Sequence, residues 1–392
     1  MKILMLHNHY QHRGGENAVF EAESALLAAH GHAVETVTFS NDDIQTPWQK
    51  AMAGVKGLYN PTSASILAQK IKAFQPDVLH LHNFFPVASP SVLYTARRMG
   101  VPTVVTLHNY RLICPKALLY RDGEVCERCV DKVLPLDGVR FQCYRNSGLQ
   151  TTAVGLMTGV HKMLGTWQNQ VNQYIALSQF AKNRLLDSSL NVPADKITVK
   201  PNFVTDPGVP EGIERQPYFL FVGRLSEEKA IDILVAAFQQ TGLPLKIVGG
   251  GPLDHIVQAA ATSHPNIQPL GPKSKEVVLD LMRQTQALVL PSICYEGCPM
   301  TILEAFSVGT PVIASNLGGP AVMVKDGETG LLVTPNHVND LAQASQQVAS
   351  DSEGQATMGQ QARRTYEALY TPEANYQQLM AIYYQVQEAF VK

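Results

Sequence analysis

Short apolar runs alternate with longer segments of helical periodicity, and the alternation occurs twice along the chain. In the first half the apolar runs are Lys2–Leu6, Ala33–Phe39, Val78–Leu81, Thr103–Leu107 and Tyr174–Ala176. In the second half they are Tyr218–Val222, Leu245–Val248, Ala287–Leu290, Pro311–Ala314 and Gly330–Val333. Strands separated by helices are typical of βαβ units, so the pattern predicts an α/β chain with two doubly wound parallel sheets.

A stretch crowded with turn-forming residues separates the two halves. Residues 201–212 contain three prolines and two glycines and show no periodicity, which predicts an interdomain linker. We therefore expect one domain over residues 1–204, a second over 205–370, and a final helix over 371–392. The apolar stripe of that helix, which includes Leu379 and Tyr383, needs a surface to cover.

Composition narrows the class of protein. The 392 residues carry 31 Lys and Arg against 33 Asp and Glu, a net charge of −2, which excludes a disordered chain and a basic nucleic-acid binder. With 45% hydrophobic residues the chain has the composition of an ordinary soluble enzyme. Because no uncharged apolar run reaches 18 residues and the first residues turn polar quickly, we expect a cytoplasmic protein.

Histidines gather at the ends of the predicted strands of the first half. They are His7, His9, His80, His82 and His108. Ligands in doubly wound sheets bind beyond the carboxyl ends of the strands, although histidines there also serve as capping or packing residues. A metal site formed by the two His-x-His pairs is disfavoured, since no carboxylate lies near either pair in the sequence.

The strongest local signal in the second half is a pair of glutamates after a strand. Glu296 lies in a loop that follows Leu290, and Glu304 lies about one turn into a helix that opens near Met300. A carboxylate accepts two hydrogen bonds from a vicinal diol, and the opening amides of a helix favour a phosphate. The alternative is two solvated glutamates at an ordinary helix start.

Two cations form a second signal. Arg224 and Lys229 follow the first strand of the second half and flank a helix start, where they would neutralise a diphosphate without a metal ion. Surface charge is the alternative. The Gly249–Gly251 run suggests a dinucleotide site, but Asp254 replaces the third glycine of that fingerprint, which counts against a dehydrogenase.

Four of the six cysteines lie in an insert of the first domain over residues 110–146. They are Cys114, Cys126, Cys129 and Cys143. The insert has few apolar residues, and four thiolates would hold one structural zinc ion. Reduced thiols or one disulfide remain alternatives, because the insert contains a single Cys-x2-Cys pair.

Several motifs in order resemble the family-4 retaining glycosyltransferases, also called glycosyl transferases group 1. These motifs are Gly223-Arg224-x4-Lys229, Glu296-x7-Glu304, the Gly-x-Pro-Val-Ile-Ala stretch from Gly309, the segments 316–319 and 326–333, an N-terminal Gly-Gly loop, residues 177–180 and Pro201-Asn202. The resemblance covers nearly the whole chain. It implies the GT-B architecture, in which two Rossmann-like domains face a cleft and a C-terminal helix crosses back to the first domain.

The resemblance also assigns roles at matching positions. It implies that Arg224 and Lys229 bind the donor diphosphate, that Glu304 binds the ribose hydroxyls and that Glu296 holds the donor sugar. His108 matches a histidine near the reacting carbon. The other donor-binding positions are Gly14, Gly15, Gly223, Gly271, Gly297, Cys298, Pro299, Met300 and Thr301. The acceptor side would be lined by His82, Asn109, Ser178 and Asn202.

The chain departs from the family pattern at two places. Ala230 stands where the family usually has glycine after the diphosphate lysine, and the acidic residue often found shortly after the later Gly-Gly pair is missing from residues 318–323. The first departure affects a turn, and the second puts one donor contact in doubt. Neither affects the two glutamates or the two cations.

The resulting expectation is a retaining glycosyltransferase in polysaccharide biosynthesis. It would move a sugar from a nucleotide diphosphate, a UDP-sugar ahead of GDP-mannose, to a saccharide or lipid-linked glycan. Because cations and helix-end amides supply the positive charge, we expect no metal cofactor in catalysis. A nucleotide-sugar epimerase of the same architecture and a non-catalytic nucleotide-sugar-binding protein stay open.

Basic residues near the acceptor side leave one further question open. These are Arg97, Arg98, Arg128, Lys132, Arg140 and Arg145. They form either a solvated face or a surface for peripheral contact with the inner face of a membrane.

Overall fold

The computed structural model describes residues 1–9, 14–41, 54, 56–208 and 214–391. The chain divides into two compact units. The first contains Met1–Leu119, Cys126–Lys200 and Asn375–Lys392, and the second contains Tyr120–Val125 and Pro201–Ala374. The main division therefore falls after Lys200, whereas the sequence pattern places it after residue 204.

The first unit is built from a parallel sheet with helices between its strands. Its strands are β1 (Lys2–His9), β2 (Ala33–Ser40), β3 (Val78–Leu81), β4 (Thr103–Leu107), β7 (Gln173–Ala176) and β8 (Ile197–Val199). Its helices are α1 (Gly15–Ala29), α2 (Pro61–Phe74), α3 (Ser91–Arg98), α4 (Leu136–Arg140), α5 (Gly148–Met163), α6 (Thr166–Asn169) and α7 (Gln179–Leu186). The strand order β2-β1-β3-β4-β7-β8 makes it a doubly wound sheet.

The last helix of the chain belongs to the core of this first unit. Helix α15 (Pro372–Val391) contributes Leu379, Met380 and Tyr383 to a buried cluster that also contains Ile3 and Met5 of β1. Burial of large apolar side chains at about 1.5–3 kcal/mol each holds the helix on the sheet. The apolar stripe predicted for the last helix therefore packs on the sheet of the first unit.

The second unit repeats the plan. Its strands are β9 (Phe219–Val222), β10 (Leu245–Val248), β11 (Ile267–Gly271), β12 (Leu288–Leu290), β13 (Val312–Ser315) and β14 (Gly330–Val333). Its helices are α8 (Ile231–Thr241), α9 (Asp254–Ser263), α10 (Lys275–Gln284), α11 (Met300–Ser307), α12 (Gly318–Met323), α13 (Val338–Ser350) and α14 (Ser352–Leu369). The sheet order is β11-β10-β9-β12-β13-β14, with every pair parallel.

The two parallel α/β sheets confirm the predicted fold class, but three details differ. Strand β1 continues to His9, because residues 7–9 pair with residues 38–40 of β2, so His7 and His9 lie within the strand and do not follow it. Strands β8 and β11 were not predicted. Both are edge strands, which need less apolar sequence than central ones.

The cysteine-rich insert is divided between the two units. Its hairpin, β5 (Tyr120–Arg121) and β6 (Glu124–Val125), groups with the second unit, although the sequence pattern assigns the whole insert to the first. Burial and the nearby carboxylates of Glu227 and Glu228 raise the pKa of Tyr120, which fits this grouping. Throughout the described ranges, no helix combines the length and apolarity that a membrane span requires.

Candidate functional site

Two adjacent strands place the predicted donor residues in the second unit at one edge of its sheet. Strands β9 and β12 are neighbours, and both run parallel. Arg224 and Lys229 follow β9, while Glu296 and Glu304 follow β12. The carboxyl ends of neighbouring parallel strands meet at one edge, where doubly wound sheets bind ligands.

Lys229 and Glu296 form an ion pair. The Nζ of Lys229 lies 2.8 Å from Oε1 of Glu296, and the two side chains are 20% and 16% exposed. Burial opposes the ammonium, but the carboxylate of Glu296 outweighs it and holds the pKa of Lys229 above its usual value. A fixed, fully charged cation is therefore available at this edge, next to a carboxylate that can accept hydrogen bonds from hydroxyl groups.

Glu304 lies one turn into α11. Burial raises the pKa of its carboxyl, and the Nζ of Lys275 lies 3.9 Å away. Pro299 precedes α11 and provides no side-chain cap for the opening amides of Met300 and Thr301, which are the groups that bind phosphates at helix starts.

Close backbone packing explains the later Gly-Gly pair. Gly318 has a φ of +63°, and Gly319 donates its N–H to the Glu296 carbonyl at 2.7 Å. A Cβ on Gly319 would lie 2.4 Å from the Gly297 carbonyl oxygen, so no larger residue fits. The pair shapes the loop that carries Glu296, and this packing needs no acidic residue after it.

The same reasoning assigns the Gly249–Gly251 run. A Cβ on Gly249 would lie 1.8 Å from the Gly223 carbonyl oxygen, and one on Gly251 would lie 2.4 Å from that of Leu225. The glycines let the loop after β10 pack on the loop that carries Arg224. Gly271, at the end of β11, has a φ of +67° and accepts a hydrogen bond from Gly249 N–H.

Ala230 adopts a conformation that explains why glycine is usual there. Its φ and ψ are 51° and 49°, in the left-handed region, and its side chain is fully buried. An L-residue other than glycine in this region costs roughly 1–2 kcal/mol. The departure from the family pattern therefore leaves the turn intact and adds strain next to Lys229.

The first unit brings the predicted histidines together. His82 Nδ1 lies 3.0 Å from His108 Nε2, and the two rings stack. His80 contacts the Tyr383 hydroxyl at 2.7 Å and the Thr106 hydroxyl at 2.8 Å, so it packs within the core. His7 lies 2.8 Å from Asn17 Oδ1, and burial lowers its pKa to about 4.

Sequence reasoning missed two charged residues beside these histidines. Glu23 of α1 and Lys200 after β8 are both buried, and Lys200 Nζ lies 2.5 Å from Glu23 Oε1. The signal for Glu23 was a carboxylate at a position of the buried face that also carries Val19, Phe20 and Leu27. Glu23 therefore places a carboxylate beside His80 and His82, although no carboxylate lies near these histidines in the sequence.

Glu16 is a third residue that the sequence did not single out. It is the second residue of α1, and its carboxyl oxygens accept hydrogen bonds from Asn109 Nδ2 at 3.5 Å and Asn83 Nδ2 at 3.3 Å. Burial raises the pKa of its carboxyl to about 7, although Arg111 acts in the opposite direction. Its carboxyl is therefore partly protonated at neutral pH.

Four other residues predicted for the donor or acceptor site have the following contacts and burial in the structure. Ser178 accepts a hydrogen bond from Ala181 N–H and caps α7. Asn202 is buried and lies in the second unit. Gly14 precedes α1, and a Cβ there would meet open space. Cys298 is buried beside Pro299. The binding roles of these residues stay predictions.

The four cysteines of the insert are neighbours without forming a ligand cage. Burial raises the pKa of Cys129 to about 12, and Cys114, Cys143 and Cys126 act in the same direction. Across the part of the chain that the structure describes, only Glu23, His80 and His82 place three candidate ligand atoms within 4.8 Å of one another. The four sulfurs are therefore further apart than a bound ion requires.

Two family models match the chain. The model described as Glycosyltransferase Family 4 matches residues 13–206, and the one described as Glycosyl transferases group 1 matches residues 208–365. Among curated relatives, the D-inositol 3-phosphate glycosyltransferase of Rhodococcus erythropolis is 26% identical, over 90% of this chain and 82% of its own. The O-antigen chain mannosyltransferase C of Escherichia coli is 24% identical over 95% of each.

Solved structures share the fold. The sucrose-phosphate synthase of Thermosynechococcus elongatus has a TM-score of 0.72 at 20% identity and covers 99% of this chain and 100% of its own. HepE of Anabaena, in complex with UDP-glucose, has a TM-score of 0.67 at 17% identity, over 97% and 99%. The two matched family models show that the chain is a glycosyltransferase and belongs to the family-4 enzymes, and the solved structures show that it has the GT-B fold.

Proposed function

We propose that the chain transfers a sugar from a UDP-sugar to a saccharide or lipid-linked glycan in polysaccharide synthesis, with retention of configuration and without a metal ion. The observation that carries the proposal is the partly buried ion pair of Lys229 and Glu296, with Arg224 and Glu304 at the same sheet edge. HepE, whose fold this chain shares, is solved with UDP-glucose, which supports a uridine nucleotide. GDP-mannose is the second candidate donor, since one relative is a mannosyltransferase.

The proposed chemistry follows from the charges at this edge. Lys229 and Arg224 neutralise the diphosphate while the bond between the sugar C1 and the phosphate oxygen breaks. The acceptor hydroxyl forms its bond to C1 on the face that the phosphate leaves, and its proton moves to a phosphate oxygen. Glu296 accepts hydrogen bonds from the sugar hydroxyls, Glu304 accepts those of the ribose, and His108 positions the sugar.

Nucleotide binding in EDTA tests the donor assignment. UDP at about a hundredfold excess over its Kd is expected to raise the melting temperature by about 5–10 °C. GDP, ADP and NAD are measured separately under the same conditions for comparison. Glu304→Ala should abolish the shift, whereas Glu353→Ala, an exposed carboxylate on α14, should keep it. Stabilisation by NAD alone, or by no nucleotide, would overturn the proposal.

A separate proposal concerns the insert: Cys114, Cys126, Cys129 and Cys143 bind one structural zinc ion. Their common neighbourhood supports it, and binding would draw the sulfurs to about 2.3 Å from the metal. Purified protein is expected to contain one zinc ion per chain, measured by mass spectrometry of the metal content, and Cys126→Ser with Cys129→Ser should remove it. Zinc-free protein would contradict the site.

Peripheral contact of the chain with a membrane stays a prediction.

A further inference from the structure

An arginine of the first unit lies at the carboxyl edge of its sheet without an acidic partner. Arg111 follows β4, Phe85 follows β3 and Glu16 follows β1, and these three strands are neighbours. Across the ranges that the structure describes, no carboxylate forms an ion pair with the Arg111 guanidinium. A guanidinium keeps its positive charge in folded proteins, so this edge, where doubly wound sheets bind ligands, carries a cation that no ion pair neutralises.

Three contacts hold the guanidinium of Arg111 in place. Its central carbon Cζ lies 4.9 Å from the ring centroid of Phe85 and 4.9 Å from that of Tyr144. Nη1 donates a hydrogen bond to the Pro115 carbonyl oxygen at 2.6 Å. Cation–π contacts to two rings and one hydrogen bond fix the orientation of the group before any ligand arrives, which lowers the entropy cost of binding one.

The opposite edge of the guanidinium has hydrogen-bond donors without acceptors. Nε is buried and has no partner, and among the described residues Nη2 has none either. An unpaired buried donor is unfavourable, and Arg111 as a whole is only half-buried, so a ligand can approach it from solvent. The Nε–H and Nη2–H groups form a fork that matches two oxygens of a phosphate or a carboxylate.

Glu16 is the competing explanation, because a nearby carboxylate can serve as the counter-ion of Arg111. Its oxygens, however, accept hydrogen bonds from Asn83 and Asn109, and burial raises the pKa of its carboxyl to about 7. At pH 7 the group therefore carries about half a negative charge on average. Glu16 acts on Arg111 only through space and leaves the fork of Arg111 open to another anion.

We propose that Arg111 binds an oxyanion of the acceptor, the phosphate or the carboxylate of an acidic saccharide, through its Nε–H and Nη2–H groups. Assignment of this anion to the acceptor rests on the proposed function, whereas the anion site rests on the contacts of Arg111 alone. Glu16 and Asn109 provide a carboxyl and an amide beside it, which are groups that hydrogen-bond to sugar hydroxyls. The chain then prefers charged acceptors to neutral ones.

Arginine Nε–H NMR of the full chain labelled with ¹⁵N-arginine tests the site directly. Arg111→Lys assigns the signal, and saturating UDP occupies the nucleotide site of the second unit. We expect inorganic phosphate, glucuronate or both to shift the Arg111 signal with a Kd on the order of 1–10 mM, and glucose to leave it unchanged. The anion that shifts the signal identifies the acceptor group as phosphate or carboxylate. A signal that responds to neither anion, or equally to glucose, would overturn the inference.

Variants separate a binding role of Arg111 from a structural one. Arg111→Lys keeps the charge but loses the fork, so anion binding should weaken by about 10-fold or more. Arg140→Gln is the control, because Arg140 is exposed and also lies over an aromatic ring, that of Phe141 at 5.5 Å. This variant should bind the anion as the native chain does.

Glu16→Gln covers the case in which Arg111→Lys does not fold. At pH 8, where most Glu16 carboxyls are ionised, removing this charge should tighten anion binding by about 3- to 10-fold, because like charges repel. Glu21→Gln, an exposed change on the same helix, should have no such effect. Equal or weaker binding in Glu16→Gln would contradict an anion beside this carboxyl. Absence of UDP binding would instead overturn the proposed function, and the anion result would still stand.

Discussion

Lys229→Met is expected to lower the rate of sugar transfer by about 10²- to 10³-fold, the usual cost of removing one preorganised charge that stabilises a transition state. Methionine keeps much of the length and the apolar character of the lysine stem but removes the ammonium that lies 2.8 Å from Glu296. In the variant, one cation fewer stabilises the negative charge of the diphosphate as it leaves. Steady-state kinetics with the donor that the nucleotide panel identifies measure the effect.

The loss should fall mainly on kcat, because negative charge grows on the diphosphate as the sugar leaves. Lys325→Met is the matched control: this lysine of the same unit is exposed and pairs with Glu328 at 3.2 Å. We expect it to leave the rate unchanged. A Lys229→Met enzyme as fast as the native one would remove Lys229 from the reaction and leave it a structural partner of Glu296.

The sequence predicted what depends on local pattern. The ends of β9 and β12, with Lys229 and Glu296 after them, follow from apolar periodicity and motif spacing, and the ion pair confirms that the motifs meet. The triple glycine run shows the limit of a motif. Its glycines suggest a dinucleotide site, which Asp254 already disfavours in the sequence, and contacts with the Gly223 and Leu225 carbonyls show that they serve backbone packing.

The sequence did not predict the ion pair of Glu23 and Lys200, because the two residues are far apart along the chain. Glu23 and Lys200 are 177 residues apart, and three strands of the sheet separate β8 from β1, the strand that leads into α1. A lysine after a short edge strand has no pattern of its own. By contrast, a carboxylate on the apolar face of α1 is visible in the sequence, and it indicates that a buried cation must lie nearby.

The second large expected effect is a loss of stability when the buried ion pair of Glu23 and Lys200 is broken. Lys200→Met should lower the free energy of unfolding of the first unit by about 3–5 kcal/mol, because it leaves a buried carboxylate without its cation. Neither tryptophan, Trp48 nor Trp167, falls within the ranges of the second unit, so tryptophan fluorescence during urea denaturation follows the first unit. Lys70→Met, which removes a half-exposed pair with Glu35, should cost less than about 1 kcal/mol.

The double variant Glu23→Gln with Lys200→Met tests whether the unpaired carboxylate causes that loss of stability. Removing both charges also removes their desolvation cost, so most of the lost stability should return. A double variant as unstable as Lys200→Met would show that the pair is not what holds this region together.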